Sequence, residues 1–301
     1  MILGSPYEAV VGSRDSKGLA AFLAELSFES AGVGELSAEV AAALYGLAGP
    51  AEEQRLVVPG AATGSVRLVT TPEPPRAPGP FDGRPLAIDL YTRDMKRSMA
   101  VAESAGGHLG ALVEYALGDL EVAEIEVTGP DGLIVVFIEV SRRRPSVLDA
   151  DRERLHSEVH SIVWAVPHAA EPLAFWLGAG LETLVDAEIR GPIISKLMGL
   201  PKPDVPVRFI LLCDGDHSPA RFELIEFLDD DGPVTASWPL AAGLHAASFR
   251  ADDLEAAMAA LDGASFGEPV TIDSELHGQA LAVSAQAPGG TRFELWQLAE
   301  D

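Results

Sequence analysis

Short apolar runs of strand length alternate with Ala- and Leu-rich segments of helical periodicity along the whole chain. Residues 160–180 have the pattern of a strand, a polar turn and a helix, and residues 245–264 repeat that order. Each segment is followed, further along, by a turn-rich stretch and the tetrapeptide RFEL, at Arg221–Leu224 and at Arg292–Leu295. The repeated order predicts two copies of one supersecondary unit in the C-terminal half.

The N-terminal half shows the same order more faintly. The segments that begin at Tyr7 and at Leu86 each have the pattern of a strand, a turn and a helix, and their closing strands are predicted within residues 64–71 and 130–140. The pattern therefore predicts an α+β fold built from four βαβββ modules.

Two linkers divide this pattern. Thr71–Pro85 is rich in proline, and Ser141–Leu155 is rich in charged residues and follows the last strand of the N-terminal half. We place the domain boundary in the second linker and expect two domains, each made of two neighbouring modules. The expected bounds are 1–145, with modules 1–75 and 84–141, and 155–301, with modules 155–230 and 240–301.

Charge and composition exclude several classes of partner. The formal net charge is −25, so a nucleic-acid backbone or an anionic membrane would be repelled. The longest apolar stretch, Leu133–Ile138, is far too short to span a bilayer, and the N-terminus does not resemble a signal peptide. Because Cys213 is the only cysteine, an internal disulfide is impossible. We expect a cytoplasmic protein with a small-molecule partner.

Four residues recur at corresponding places in the two C-terminal modules. His160 and His245 open the first strands, and Glu223 and Glu294 lie in the RFEL strands. The His-to-Glu spacing is 14 residues longer in the first copy, which matches an apparent insertion, residues 190–203, that is expected to carry a short helix. Imidazole and carboxylate groups that converge in one cleft are suited to Zn, Ni, Fe or Mn.

This arrangement resembles the vicinal oxygen chelate superfamily, which includes glyoxalase I, extradiol dioxygenases, methylmalonyl-CoA epimerase and bleomycin-binding proteins. The resemblance implies a divalent metal ion held by His160, Glu223, His245 and Glu294, with Glu223 or Glu294 as a catalytic general base. Counting back seven residues from the turn, as in the last module, leads to Ser161 and not to His160. A β-bulge would restore the histidine, and His156 is a reserve candidate.

The resemblance leaves three functions open. The first is a metal-dependent lyase, isomerase or epimerase of the glyoxalase I kind, acting on a small substrate with vicinal oxygens. The second is an extradiol dioxygenase, which is disfavoured because the tyrosine that such enzymes use near the metal has no counterpart in the C-terminal half. The third is a non-catalytic protein that binds a cationic drug or metabolite. The sequence also leaves open whether the modules pair within one chain or across a homodimer.

Overall fold

The computed structural model describes residues 2–75, 83–229, 232, 234 and 238–299, so part of the linker predicted at Thr71–Pro85 lies outside the described residues. The elements of modules 1 and 2 are β1 (Glu8–Ser13), α1 (Ser16–Glu25), β2 (Glu29–Leu36), α2 (Ala38–Tyr45), β3 (Ala51–Val57), β4 (Ser65–Thr70), β5 (Ala87–Thr92), α3 (Met95–Ser104), β6 (His108–Leu109), β7 (Val113–Leu117), β8 (Leu120–Thr128) and β9 (Ile134–Val140). The elements of modules 3 and 4 are β10 (His156–Val166), α4 (Ala170–Gly178), β11 (Glu182–Ile189), α5 (Ile193–Leu197), β12 (Val207–Cys213), β13 (Arg221–Phe227), β14 (Gly243–Arg250), α6 (Leu254–Ala260), β15 (Ser265–Phe266), β16 (Val270–Ser274), β17 (Gly278–Gln286) and β18 (Arg292–Leu298).

These elements confirm the predicted α+β fold of four modules. Each module opens with a strand and a helix, and each closes with a strand that runs parallel to its first strand. The segment 190–203 carries α5, as expected. Module 1 has a helix at the same place, α2, which the sequence pattern did not reveal.

The modules pair in a different order from the one expected. Module 1 joins module 4 in a first sheet of nine strands, through the antiparallel pair β1 and β14. Module 2 joins module 3 in a second sheet of nine strands, through β5 and β10. The prediction that neighbouring modules pair, within 1–145 and within 155–301, is therefore wrong for the sheets. Both pairings are formed within one chain.

A single hydrophobic core joins the two sheets. It contains residues of both sheets and of the four helices α1, α3, α4 and α6. Trp176 of α4 illustrates the connection, because its ring contacts Phe222 of the second sheet and both Phe249 and Phe293 of the first. We call the opposite face of each sheet, the one outside this shared core, the outer face. Among the described residues, no helix is long and apolar enough to cross a bilayer.

The two outer faces are filled differently. On the first sheet, α2 contributes Val40, Ala41, Leu44 and Tyr45 to a compact apolar cluster. On the second sheet, α5 is only five residues long and contributes Ile194. The shorter helix leaves a cavity of about 560 Å³ on this outer face.

Gly12 marks a close approach between modules 1 and 4. A Cβ atom at this position would lie 2.1 Å from the carbonyl oxygen of Ala241, a distance that no contact between these atoms allows. We expect Gly12→Ala to lower the free energy of unfolding by about 1–3 kcal/mol, because the backbone has to move. Gly49→Ala is the matched control, since nothing lies within 4 Å of its Cβ position. Equal urea midpoints for the two variants would contradict the close approach.

Candidate functional site

The four residues predicted to share one metal site lie in two different sheets. His160 and Glu223 belong to β10 and β13 of the second sheet, whereas His245 and Glu294 belong to β14 and β18 of the first. The separation follows from the module pairing, because modules 3 and 4 share no sheet. In the described ranges, no group of three His, Cys, Asp or Glu side chains is placed to hold a metal ion. The donor set therefore does not fit the metal that the resemblance implies.

The two predicted histidines nevertheless occupy corresponding positions. On β10, the register against β5 shifts between Val159 and Ser161, so that His160 is an additional residue in a bulge. On β14, the register against β1 shifts in the same way around His245. Each histidine also lies two residues before the residue that pairs with the phenylalanine of its RFEL strand. The one-residue offset noted in the sequence therefore arises in the turn after the strand.

His156 is a packing residue. It is fully buried, its ring stacks on Phe137 of the shared core at 4.9 Å, and its Nε2 lies 2.8 Å from Ser98 Oγ. Burial, together with the nearby charge of Arg97, lowers the pKa of His156 to about 4. The side chain is thus committed to the interior, and the structure gives no support to it as a reserve ligand.

In the first sheet, a buried arginine occupies the centre of the outer face. Arg67 on β4 is fully buried, and its guanidinium lies 4.4 Å from the ring of Trp296. Its polar neighbours are Glu8 (2.9 Å), Tyr45 OH (2.7 Å), Ser248 Oγ (3.0 Å), Glu53 (3.6 Å) and Glu294, with which it forms a short hydrogen bond. Glu294 is therefore the partner of a guanidinium and is not free to bind a metal ion.

The charges around Arg67 compensate one another. Burial alone would lower the pKa of Arg67, but the charge of Glu294 and of the other acids raises it well above its ordinary value. Glu8 has a second cation, Arg55, at 2.7 Å, and Glu53 lies 3.1 Å from His277 Nε2. His245 lies at the edge of this cluster, with its ring 6.1 Å from that of Tyr45. The described side chains around Arg67 thus form an ionic network on this outer face.

The second sheet has an apolar cavity with acidic groups on its floor. The cavity is lined mainly by aliphatic side chains from β8, β9, β11, β12 and α5, such as Val136 and Leu211. Asp89, Glu124 and Glu223 line it as well, and so does His160. Two of the predicted site residues are thus brought together here, with two acids that the sequence analysis did not single out.

Asp89 and Glu223 form a pair bridged by a serine. Ser161 Oγ donates a short hydrogen bond to Asp89 and lies 3.4 Å from Glu223 Oε2. The side chains of both acids are buried, with exposed fractions of 3% and 7%. Glu124 is hydrogen bonded to Tyr115 and lies near both acids: the charge of Asp89 raises the pKa of Glu124, and the charge of Glu124 raises the pKa of Glu223. Three carboxyl groups therefore share one apolar environment.

Burial raises the pKa of all three carboxyl groups. For Glu223, burial raises the pKa strongly, and the charges of Asp89 and Glu124 raise it further. For Asp89, burial raises the pKa to about 7, although hydrogen bonds from Ser161 and Glu223 oppose the rise. Burial and the charge of Asp89 raise the pKa of Glu124 to about 8. All three groups therefore hold a proton more tightly than an ordinary carboxyl group, and Asp89 and Glu223 titrate together as a pair.

His160 is held as a neutral imidazole at one side of the cavity. Its ring stacks on Tyr91 at 3.9 Å, and its Nδ1 accepts a hydrogen bond of 2.8 Å from Arg221. Burial and the positive charge of Arg221 lower the pKa of His160 well below its ordinary value. A neutral imidazole whose Nδ1 accepts carries its proton on Nε2. His160 is therefore a neutral donor at neutral pH.

The registers of the two sheets can be compared residue by residue. The first strands of modules 1 and 2 end in SRD and TRD, and in both the aspartate caps the following helix. This alignment places Val10 and Asp89 at one position. Their partners on the closing strands are Arg67 and Val136, so a valine occupies the position of the buried arginine.

The third strands extend this comparison. Arg55 lies opposite the arginine of the closing strand in the first sheet, and Glu126 lies opposite the corresponding valine in the second. Two residues earlier in each strand stand Glu53 and Glu124. The second sheet therefore keeps an acid at this position but has no arginine at either position where the first sheet has one.

Sequence reasoning missed the residues that build both clusters. Arg67 and Asp89 each stand alone between apolar residues, in SVRLV and LAIDLY, and both are buried. A charged residue within a buried strand is rare, because the charge has to be paired or neutralised. That signal was present in the sequence and could have located both sites.

Comparison with known proteins relates the chain to one fold. No family model matches the sequence, and no curated protein matches it. Among solved structures, glyoxalase I from Zea mays is similar with a TM-score of 0.63 and 13% identity, over 97% of this chain and 92% of that chain. A structure from Bacillus subtilis subsp. subtilis str. 168 that carries a provisional dioxygenase assignment has a TM-score of 0.66 and 11% identity, over 99% of this chain and 86% of that chain. The chain therefore has the fold of these structures, a glyoxalase-like fold of paired modules.

Proposed function

We propose that the protein is an enzyme that acts on a small molecule in the cavity of the second sheet. The observation that carries this proposal is the buried pair of Asp89 and Glu223, bridged by Ser161, on the floor of an apolar cavity of about 560 Å³. Buried acids with raised pKa values in a cavity are typical of sites that transfer protons near neutral pH.

The pair suits proton transfer next to a carbonyl group. Ionised Asp89 would take a proton from the carbon that bears a hydroxyl group, and Glu223 would give its proton to the neighbouring carbonyl oxygen, which yields an enediol. Protonation of the former carbonyl carbon with loss of the proton from the other hydroxyl group completes an isomerisation. Protonation of the original carbon on its opposite face, with return of the carbonyl proton to Glu223, completes an epimerisation, and in neither case are electrons gained or lost. A substrate with two vicinal oxygens, the class implied by the sequence resemblance, fits this chemistry.

The proposal contains no metal step. The described residues do not gather a ligand set, and the predicted pair of His245 and Glu294 lies in the ionic network around Arg67. The glyoxalase-like reaction class of lyase, isomerase or epimerase is kept, whereas a Zn, Ni, Fe or Mn ion held by the four predicted residues does not fit.

The dioxygenase alternative changes in one respect. Because module 2 pairs with module 3, Tyr91 and Tyr115 of the N-terminal half reach the same cavity as His160. The missing tyrosine therefore no longer counts against a dioxygenase. The lack of a ligand set for iron among the described residues still does.

A non-catalytic binding protein is the second candidate. It is favoured by the mainly aliphatic lining of the cavity, which suits retention of an apolar molecule. Solvent-deuterium exchange distinguishes the two candidates, because an enzyme that removes a proton from carbon labels its substrate whereas a binding protein does not.

The test is proton NMR of α-hydroxyketones, from acetoin to benzoin, incubated with the protein in D₂O. We expect label in at least one compound, and a loss of at least 100-fold in Asp89→Asn and in Glu223→Gln. Glu121→Gln, an exposed acid on β8, is the control and should exchange at the wild-type rate. Undiminished exchange in the two cavity variants would contradict the assignment.

The proposed site is built within one chain. All the strands that carry the cavity residues come from one chain, so the proposed chemistry needs no second subunit. The homodimer left open by the sequence stays a prediction.

A further inference from the structure

In the first sheet two acids contact a cation, the side chain of Arg67, and the second sheet has acids at the corresponding two positions. Glu294 and Glu53 contact the guanidinium of Arg67. Glu223 is the counterpart of Glu294, because both stand in RFEL and both lie next to the phenylalanine that fixes the register. Glu124 is the counterpart of Glu53. Two acids at the same two positions thus bind a cation in one sheet and face a cavity in the other.

The second sheet lacks the cation but has space for one. Val136 occupies the position of Arg67, and it lines the cavity together with the acids. Among the described groups, those that shift the pKa values of the three acids Asp89, Glu124 and Glu223 are the acids themselves, Ser161 and Tyr115. A buried carboxylate without a positive partner is costly, and a cation that enters this space removes the cost.

The main contacts and charge effects of the arginines near the cavity involve groups other than its three acids. Arg142 pairs with Asp119 and Arg143 with Asp149, both towards the protein surface. Arg221 donates to His160 and to a backbone carbonyl on the side of Tyr91. Arg144 acts on that same side, where it influences His160 and Tyr91. The arginines therefore act chiefly on His160 and Tyr91, and the three acids chiefly on one another.

We propose that the substrate of this cavity carries an ammonium or guanidinium group, which takes the place beside Glu223 and Glu124 that the Arg67 guanidinium takes beside Glu294 and Glu53 in the first sheet. The proposal rests on the proposed function only in that both use the same cavity. The aliphatic walls accept the apolar body of the molecule. Beside the cation Glu223 is ionised, so in such a substrate the N–H groups of the cation, and not Glu223, donate to the carbonyl oxygen, while Asp89 remains available as the base. An organic cation with a compact apolar body is therefore the ligand class.

The test is calorimetric titration of the full chain at pH 8 with four probes of one length: n-hexylammonium, n-hexylguanidinium, 1-hexanol and heptanoate. We expect both cations to bind at least tenfold more tightly than the alcohol, and heptanoate to bind more weakly than the alcohol. Glu223→Gln and Glu124→Gln should each weaken the binding of the cations at least fivefold and leave that of 1-hexanol unchanged.

Val136→Arg provides a second, independent arm. This substitution places a guanidinium where the first sheet has one, and it should abolish cation binding, while Val136→Leu keeps it. Tighter binding of 1-hexanol than of the cations would overturn the inference and leave the cavity as a site for neutral molecules. Failure of all four probes to bind, with the fold intact by circular dichroism, would also overturn the inference, whereas the proposed function is decided separately by the deuterium exchange of α-hydroxyketones.

Discussion

Replacing Arg67 with methionine is expected to lower the free energy of unfolding by about 3–5 kcal/mol at neutral pH. The side chain is fully buried, and Glu8, Glu53 and Glu294 would remain around it as buried acids without their central cation. Methionine fills a similar volume, so the loss reports the charge and not a void. The measurement is urea unfolding followed by circular dichroism.

An exposed ion pair provides the control for that loss. Arg142→Met is the control, because Arg142 and its partner Asp119 are both exposed, and such pairs contribute about 0–1 kcal/mol. A loss in Arg67→Met below about 1 kcal/mol, no larger than that in Arg142→Met, would contradict the network as described.

The opposite result is expected for an acid of the cavity. Glu124→Gln should stabilise the protein above pH 8, because the wild type has to ionise a carboxyl group whose pKa is raised from 4.5 to about 8 by burial and by Asp89. In the unfolded chain this group loses its proton near its ordinary pKa, so wild-type stability falls as the pH rises from about 4.5 to about 8 and then levels off. The upper limit of the gain is about 5 kcal/mol, reduced by any water in the cavity.

Thermal unfolding of Glu124→Gln and wild type at several pH values between 5 and 9 checks this expectation. The two curves should meet near pH 5 and separate as the pH rises. Glu121→Gln lies on the same strand but is exposed, and its difference from the wild type should stay constant over this range. A constant difference for Glu124→Gln as well would mean that Glu124 ionises normally.

The modules were predictable from the sequence because local patterns determine them. Each strand and helix carries its own periodicity, and the repeated RFEL marks the closing strands of modules 3 and 4 directly. The pairing of modules was not predictable in the same way. The pairing depends on which strand forms hydrogen bonds with the free edge of β1, and nothing in the sequence of β1 itself distinguishes β14 from β5 as its partner. Proximity along the chain favoured the wrong choice.

The site was predictable only in part for a related reason. His160 and Glu223 were correctly placed at corresponding positions of a module, and both border the cavity. Their neighbours Asp89 and Glu124 come from module 2, so they could be recognised only once modules 2 and 3 were known to pair. Glu294 looked equivalent to Glu223 in sequence, but the arginine that engages it lies 227 residues earlier in the chain.

The nested pairing of the modules sets an order for synthesis on the ribosome. All strands of the second sheet lie between residues 87 and 227, whereas those of the first sheet lie on both sides of that range and end with β18. The emerging chain can therefore complete the cavity while β1 still has an open edge, and while Arg67 still lacks Glu294. An open strand edge is a template for pairing with other chains. A nascent chain whose first 240 residues have left the ribosome would carry a finished cavity and, beside it, half of a sheet exposed to aggregation.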